Sequence, residues 1–126
     1  MAKKITHPQD LENIKTLDSV KVTYFYDDDF ETPLTSEGAF AGNFELNNEK
    51  YFVVSKIKES VQFPNKLSLA SGIYKIKDNS IIHSIGGHFE FSEKDDHSLE
   101  ETLKRHVRIL SNYKTRQLNT NKQNNY

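Results

Sequence analysis

The sequence predicts a mainly β, α+β domain. It takes the form of an antiparallel bent sheet of five to seven strands, or a small SH3/Sm-like half-barrel, with a C-terminal amphipathic helix and a short N-terminal helix. Three observations predict it. Apolar and polar residues alternate through the middle of the chain, Asn, Asp and Gly punctuate the alternation, and one apolar stripe at helical spacing follows a capping box near residue 98.

In chain order, Pro8–Lys15 starts with proline, whose fixed φ suits a first helical position, and gives the short N-terminal helix. Val20, Val22, Tyr24 and Tyr26 share one face of an extended run, followed by an acidic loop from Asp27 to Pro33. Phe40, Gly42, Phe44 and Leu46 share a face of the next run. Asn47-Asn48 then turns the chain into Tyr51–Ile57, because asparagine tolerates the positive φ of tight hairpin turns. A second hairpin is expected with Val61 and Phe63 on one arm, Pro64-Asn65 at the corner and Leu67 and Leu69 on the other. A third folds Ile73–Ile76 onto Ile81–Ile85 through Asp78-Asn79, after which Gly86-Gly87 is expected to make a bulge or bend. Ser98-Leu99-Glu100-Glu101 is the capping box, and Leu99, Leu103, Val107, Leu110 and Tyr113 form the stripe that packs on the sheet.

A chain of 126 residues supports one core, whereas two halves would each bury too little surface. Residues 1–118 are therefore read as a single domain. Residues 119–126, polar and amide-rich, are read as a disordered tail that cannot offset its ordering entropy by burial. The chain has no cysteine, which excludes a disulfide framework, a thiolate metal site and a Cys nucleophile. Met1–Pro8 has no apolar run behind its lysines, so neither a signal peptide nor a membrane span is expected there, and the expected location is the cytoplasm.

Net charge is -1, but its distribution is uneven: residues 1–97 carry 11 basic and 16 acidic side chains, and residues 98–126 carry 6 basic and 2 acidic. Opposed ends of this kind steer a partner of either sign, or bring copies of the chain together. Two partner surfaces follow. The acidic one is Asp27, Asp28, Asp29 and Glu31, placed to imitate phosphate spacing towards a partner protein. The basic one is Lys104, Arg105, Arg108, Lys114 and Arg116, with Tyr74 and Tyr113 as stacking aromatics for RNA, single-stranded DNA or a nucleotide.

Catalytic patterns are sparse. His83, His88 and His97 fall within fifteen positions and Glu90 shares a strand face with His88, but a metal site needs three or four converging ligands and alternation supplies two. The acidic loop lacks the calcium-loop spacing, and no phosphate-binding glycine loop or nucleophile elbow occurs. No metal and no cofactor are expected. Gly72-Ile73-Tyr74 followed by Ser84-Ile85-Gly86 is similar to the paired tripeptides of GIY-YIG nucleases. Ser84 stands where the second tyrosine belongs and no arginine follows at a helix start, so the nuclease reading is set aside.

Taken together, Val20–Tyr26, Ala41–Glu45, Tyr51–Val54, Ile73–Lys75 and Ile81–Ile85 resemble the strand order of Sm-like small barrels over residues 8–86. In the bacterial Sm-like RNA chaperones a Tyr-Lys-His triplet contacts RNA. Here Tyr74-Lys75 matches, Ile76 replaces the histidine, and residues 58–70 form an insertion. The function expected is that of a small non-enzymatic binding protein acting through protein contacts, such as a phage or mobile-element inhibitor or accessory protein, with a homo-oligomer among its forms. The alternative is nucleic-acid or nucleotide binding by the basic helix.

Overall fold

The structure, a computed structural model, describes residues 2–26, 29–59, 61, 66–92 and 99–123. Its strands are β1 (Lys3–Ile5), β2 (Ser19–Tyr26), β3 (Asp29–Leu46), β4 (Glu49–Glu59), β5 (Lys66–Lys77) and β6 (Ser80–Ser92). A 3-10 helix at Pro8–Asn13 follows β1, and the helix α1 (Leu99–Gln123) closes the chain. Neighbouring strands follow sequence order from β1 to β6. All of these neighbours pair antiparallel except β1 and β2, which run parallel with Lys3 opposite Val20 and Ile5 opposite Val22. The sheet is therefore mixed, a correction to the antiparallel expectation, and β1 is a strand that three residues of sequence do not announce.

The N-terminal helical segment is of the tighter 3-10 kind. The Asp10 carboxylate closes it by accepting from the backbone amides of Thr6 and His7 at 2.9 and 3.1 Å, and these bonds hold its carboxyl below the usual range.

The sheet is strongly bent. β3 is 18 residues long, pairing with β2 through its first half and with β4 through its second. Asp29–Pro33 belong to this strand, not to a loop. At Gly38 the strands come so close that a Cβ there would stand 2.7 Å from the Ser55 carbonyl oxygen. β2 also meets β6 at one parallel bridge, Phe25 to Ile82, which leaves the sheet short of a closed barrel.

Two clusters occupy the two faces. Ile5, Val20, Val22, Phe40, Phe52, Val54, Tyr74 and Ile81 fill the concave side, where the 3-10 helix adds Leu11. Ala41, Tyr51, Val53, Leu69 and Ile73 form the other side, covered by Leu103, Val107 and Leu110 of α1. A β-bulge between Phe40 and Gly42 decides this partition. The extra residue, Ala41, reverses the alternation, so Phe40 lies in the concave cluster while Phe44 and Leu46 pack on the helix side. All four positions from Phe40 to Leu46 were expected on one face, and the bulge corrects that.

The turn Asn47-Asn48 has positive φ at both residues, 52° and 66°, as a tight hairpin requires. Between β4 and β5 the expected strand at Val61 is absent: Val61 lies outside the strands and is 99% exposed. Phe63, Pro64 and Asn65 lie outside the described residues. β6 runs straight through Gly86 and Gly87, which pair regularly with Gly72 and Ser71; the irregularity lies earlier, where the register skips Ser84 opposite Ile73 and Tyr74. The irregularity expected at the glycines is thus found at Ser84.

Helix α1 begins at Leu99, next to the expected capping box; Ser98 itself lies outside the described residues. It buries Thr102, Leu103, His106, Val107 and Leu110, and leaves Leu99 and Tyr113 at the margin of the stripe largely exposed. It continues to Gln123, through Asn119–Lys122 of the polar segment.

Candidate functional site

Four places carry chemistry: the acidic start of β3, a ring cluster at the β2–β6 seam, the junction of α1 with β4 and β5, and the outer face of α1.

At the start of β3, the Asp29 Oδ1 accepts from the backbone amides of Glu31 and Thr32 at 3.0 and 3.2 Å. This Asx-type turn holds the carboxyl below its ordinary value, chiefly through the Glu31 amide. Asp29 therefore fixes the entry of β3, and Glu31 is exposed beside it. Asp27 and Asp28 lie outside the described residues.

At the seam, Tyr24, Tyr26, Tyr74 and His83 pack ring against ring. His83 lies 5.8 Å from Tyr24, 5.7 Å from Tyr26 and 5.7 Å from Tyr74, and Tyr24 lies 5.2 Å from Tyr74. Burial pushes the His83 imidazole below its usual value and raises the phenols of Tyr24 and Tyr74. Tyr74 is only 3% exposed, which corrects its assignment as a stacking surface. Its ring lies over bare Gly72, where a Cβ would come within 3.0 Å of the Tyr74 hydroxyl oxygen. Gly72 and Tyr74 of the GIY-like triplet are thus accounted for by packing. His88 pairs in register with Ala70 and Glu90 with Ser68; His97 lies outside the described residues. Among the described residues no group of three His, Cys, Asp or Glu is placed to hold a metal ion.

At the junction, Lys75 Nζ stands 2.9 Å from Glu49 Oε1, and the Tyr51 hydroxyl donates to Glu49 Oε2 at 3.1 Å. The Lys75 ammonium lowers the Glu49 carboxyl, while burial first and the Glu49 acceptor second push Tyr51 up to about 12. Lys114 of α1 lies 5.9 Å above the Tyr51 ring and donates to Gln117 Oε1 at 3.3 Å. Burial, then the charge of Lys75, lowers its ammonium. Lys114 is thus turned towards the sheet, a correction to its place in the basic surface. Nearby, a groove of about 510 Å³ opens between the 3-10 helix and the β3–β4 hairpin. Its charged lining residues Glu12, Glu45 and Lys50 are all exposed, so they converge on no enclosed position.

The outer face of α1 is different. Arg105, Arg108, Asn112 and Arg116 are exposed there, beside Ile109 at 43% and Tyr113 at 53% exposure. Spacings of three and four residues make them neighbours along one side of the helix. Lys104 is also exposed and pairs with Glu100 at 3.3 Å. Glu100 and Glu101 put carboxylates in the first turn; from Thr102 onwards the sequence holds no acidic side chain, so the rest of this face is basic. Four of the five predicted basic residues, Lys104, Arg105, Arg108 and Arg116, share it. Ile109 was not foreseen, although its helical angle sets it well off the Leu103–Val107–Leu110 stripe.

No family model matches the chain, and neither a curated protein nor a solved structure matches it. Among the described residues no helix is long and apolar enough to cross a membrane.

Proposed function

We propose that this chain is a small non-enzymatic binding protein of the cytoplasm that acts through protein contacts, with the outer face of α1 as its contact surface. The bent sheet, a half-barrel of the SH3 or Sm kind in this reading, serves as the scaffold. The supporting observation is the exposed pair Ile109 and Tyr113 among arginines, on a helix whose opposite face is already buried against the sheet. Aromatic and arginine side chains of this kind dominate the energetics of protein interfaces, and an isolated helix face has no structural need for them. An inhibitor or accessory role for a phage or mobile element fits the small size.

Affinity capture with the full chain from its native host tests this, with mass spectrometry of bound protein and nucleic acid. One protein recovered in near-stoichiometric amount supports the proposal, and its absence across salt conditions rejects it.

Nucleic-acid binding is the second reading, supported by Arg105, Arg108 and Arg116, with Lys104 beside them, on a face that carries no acidic side chain beyond the first turn of α1. Phosphate neutralisation makes such binding steeply salt-dependent. A labelled oligonucleotide titrated at two salt concentrations decides it, since no binding at the lower one removes the reading.

A further inference from the structure

Resting on the protein-contact reading, we infer that the partner receives α1 in an apolar groove whose rim carries carboxylates, with Ile109 and Tyr113 as the seated side chains. Ile109 and Tyr113 are four residues apart, about one helical turn; Arg105 lies four residues before Ile109, Arg116 three after Tyr113, and Arg108 next to Ile109 in sequence and five before Tyr113. This is the layout of helix-in-groove recognition, in which anchors at i and i+4 enter pockets and the surrounding charges set register and specificity.

The sign of the rim follows from the sequence. Beyond Glu100 and Glu101 in its first turn, α1 carries no acidic side chain, so around Ile109 and Tyr113 a neutral or basic rim would leave Arg108 and Arg116 facing like charge or stripped of water without a counterion. Arginine also matches a carboxylate as a planar fork. The apolar pair selects a protein over a nucleic acid as the occupant of this face. An isoleucine adds nothing to a phosphate contact, and a single tyrosine offers one stacking plane where single-strand binders line up several. A second copy of this chain is a poorer fit: its groove between the 3-10 helix and the β3–β4 hairpin sets exposed Lys50 beside exposed Glu12 and Glu45, while other exposed acidic residues among those described, such as Asp29, Glu31 and Glu37 on β3, lie outside its lining.

The test uses the full chain carrying the photo-crosslinker p-benzoylphenylalanine at position 109 or 113, and at exposed Lys56 on β4 as a control, irradiated in native-host cells. The crosslinked peptide is sequenced, and the partner is then purified for affinity measurement against Ile109→Ala, Tyr113→Ala and Arg105→Glu/Arg116→Glu. All these positions are exposed, and thermal melting checks that each variant folds. The expected result is a crosslink from 109 and 113 to a peptide combining apolar residues with Asp or Glu. Each alanine variant should weaken binding at least 10-fold and the charge reversal at least 10-fold, with affinity falling as salt rises. A crosslink to nucleic acid or to a second copy overturns the inference. So does a protein partner whose affinity ignores Ile109→Ala and Tyr113→Ala. A partner crosslinked only from the control position overturns it while leaving the protein-contact reading intact. No partner from any position overturns both.

Discussion

Gly42 and Val107 meet where the bulge of β3 passes beneath α1. Gly42 has a φ of 154°, and a Cβ there would lie 3.3 Å from Val107 Cγ2. The glycine thus supplies both a backbone angle that side chains disfavour and the space that lets the helix approach the sheet. Gly42→Ala is expected to lower stability by about 1–3 kcal/mol, read as a shift in urea midpoint at constant slope. Part of that cost is the contact, so Val107→Ala should cost less in the Gly42→Ala background than in the wild type. Strict additivity of the two would show that the helix does not press on this position.

The same bulge explains what was legible in the sequence and what was not. Alternation and the Asn47-Asn48 turn placed the β3–β4 hairpin, and helical spacing placed Leu103, Val107 and Leu110 on the sheet. One inserted residue, however, transfers every later side chain to the opposite face. Nothing in Phe40-Ala41-Gly42 marks which residue is the extra one, so Phe40 and Phe44 could be assigned to strands but not to faces. The register of β6 likewise skips one residue, Ser84, and nothing in Ser84-Ile85-Gly86 marks it in the sequence. At the helix, charge groups Lys114 with the arginines, although at about 100° per residue its position falls within the Leu103–Val107–Leu110 stripe; there its long stem lets it cover Tyr51.

Ser55 and Ser71 face each other in register across β4 and β5, both buried, with their hydroxyl oxygens 2.7 Å apart. Removing one hydroxyl strands the other without water. Ser55→Ala should therefore destabilise by about 1–3 kcal/mol, while Ser55→Ala/Ser71→Ala should cost less than the two single changes combined. Equilibrium unfolding of the four proteins measures the coupling. Purely additive costs would mean that each hydroxyl has another partner.

Tyr74 shows how a predicted binding residue becomes a core residue. Its ring stacks 5.3 Å from Phe52 and lies over Gly72, so the aromatic identity is explained by packing on the concave face. Gly72→Ala would put a methyl 3.0–3.2 Å from the Tyr74 hydroxyl and ring edge, so that the closely packed ring has to shift by a few tenths of an ångström, at a cost of about 1–3 kcal/mol. Near-ultraviolet circular dichroism should lose tyrosine signal in the same variant. A variant with wild-type stability and spectrum would contradict the close packing.

His83 gives the fold a pH dependence of definite sign. Burial among Tyr24, Tyr26 and Tyr74 lowers the imidazole pKa from its ordinary 6.5. Between the folded value and the unfolded one, the unfolded chain therefore binds more protons, so stability rises with pH across that window. The contribution is fully present above the unfolded pKa and is lost as pH falls through the folded one. The phenols of Tyr24 and Tyr74 cannot mask it, since burial pushes both above the ordinary value of 10.0. Lowered carboxyls such as Asp10, Asp18, Asp29 and Glu49 act in the same direction but further into acid. His83→Phe keeps a ring against the tyrosines and removes the titration. Its urea midpoint should depend less on pH than the wild type between about pH 5 and 7, the range in which histidine titrates. An NMR titration of the wild type should place the His83 midpoint below 6.5. Equal slopes for the two proteins, or a midpoint at or above the ordinary value, would mean that solvent reaches the imidazole and the seam is open.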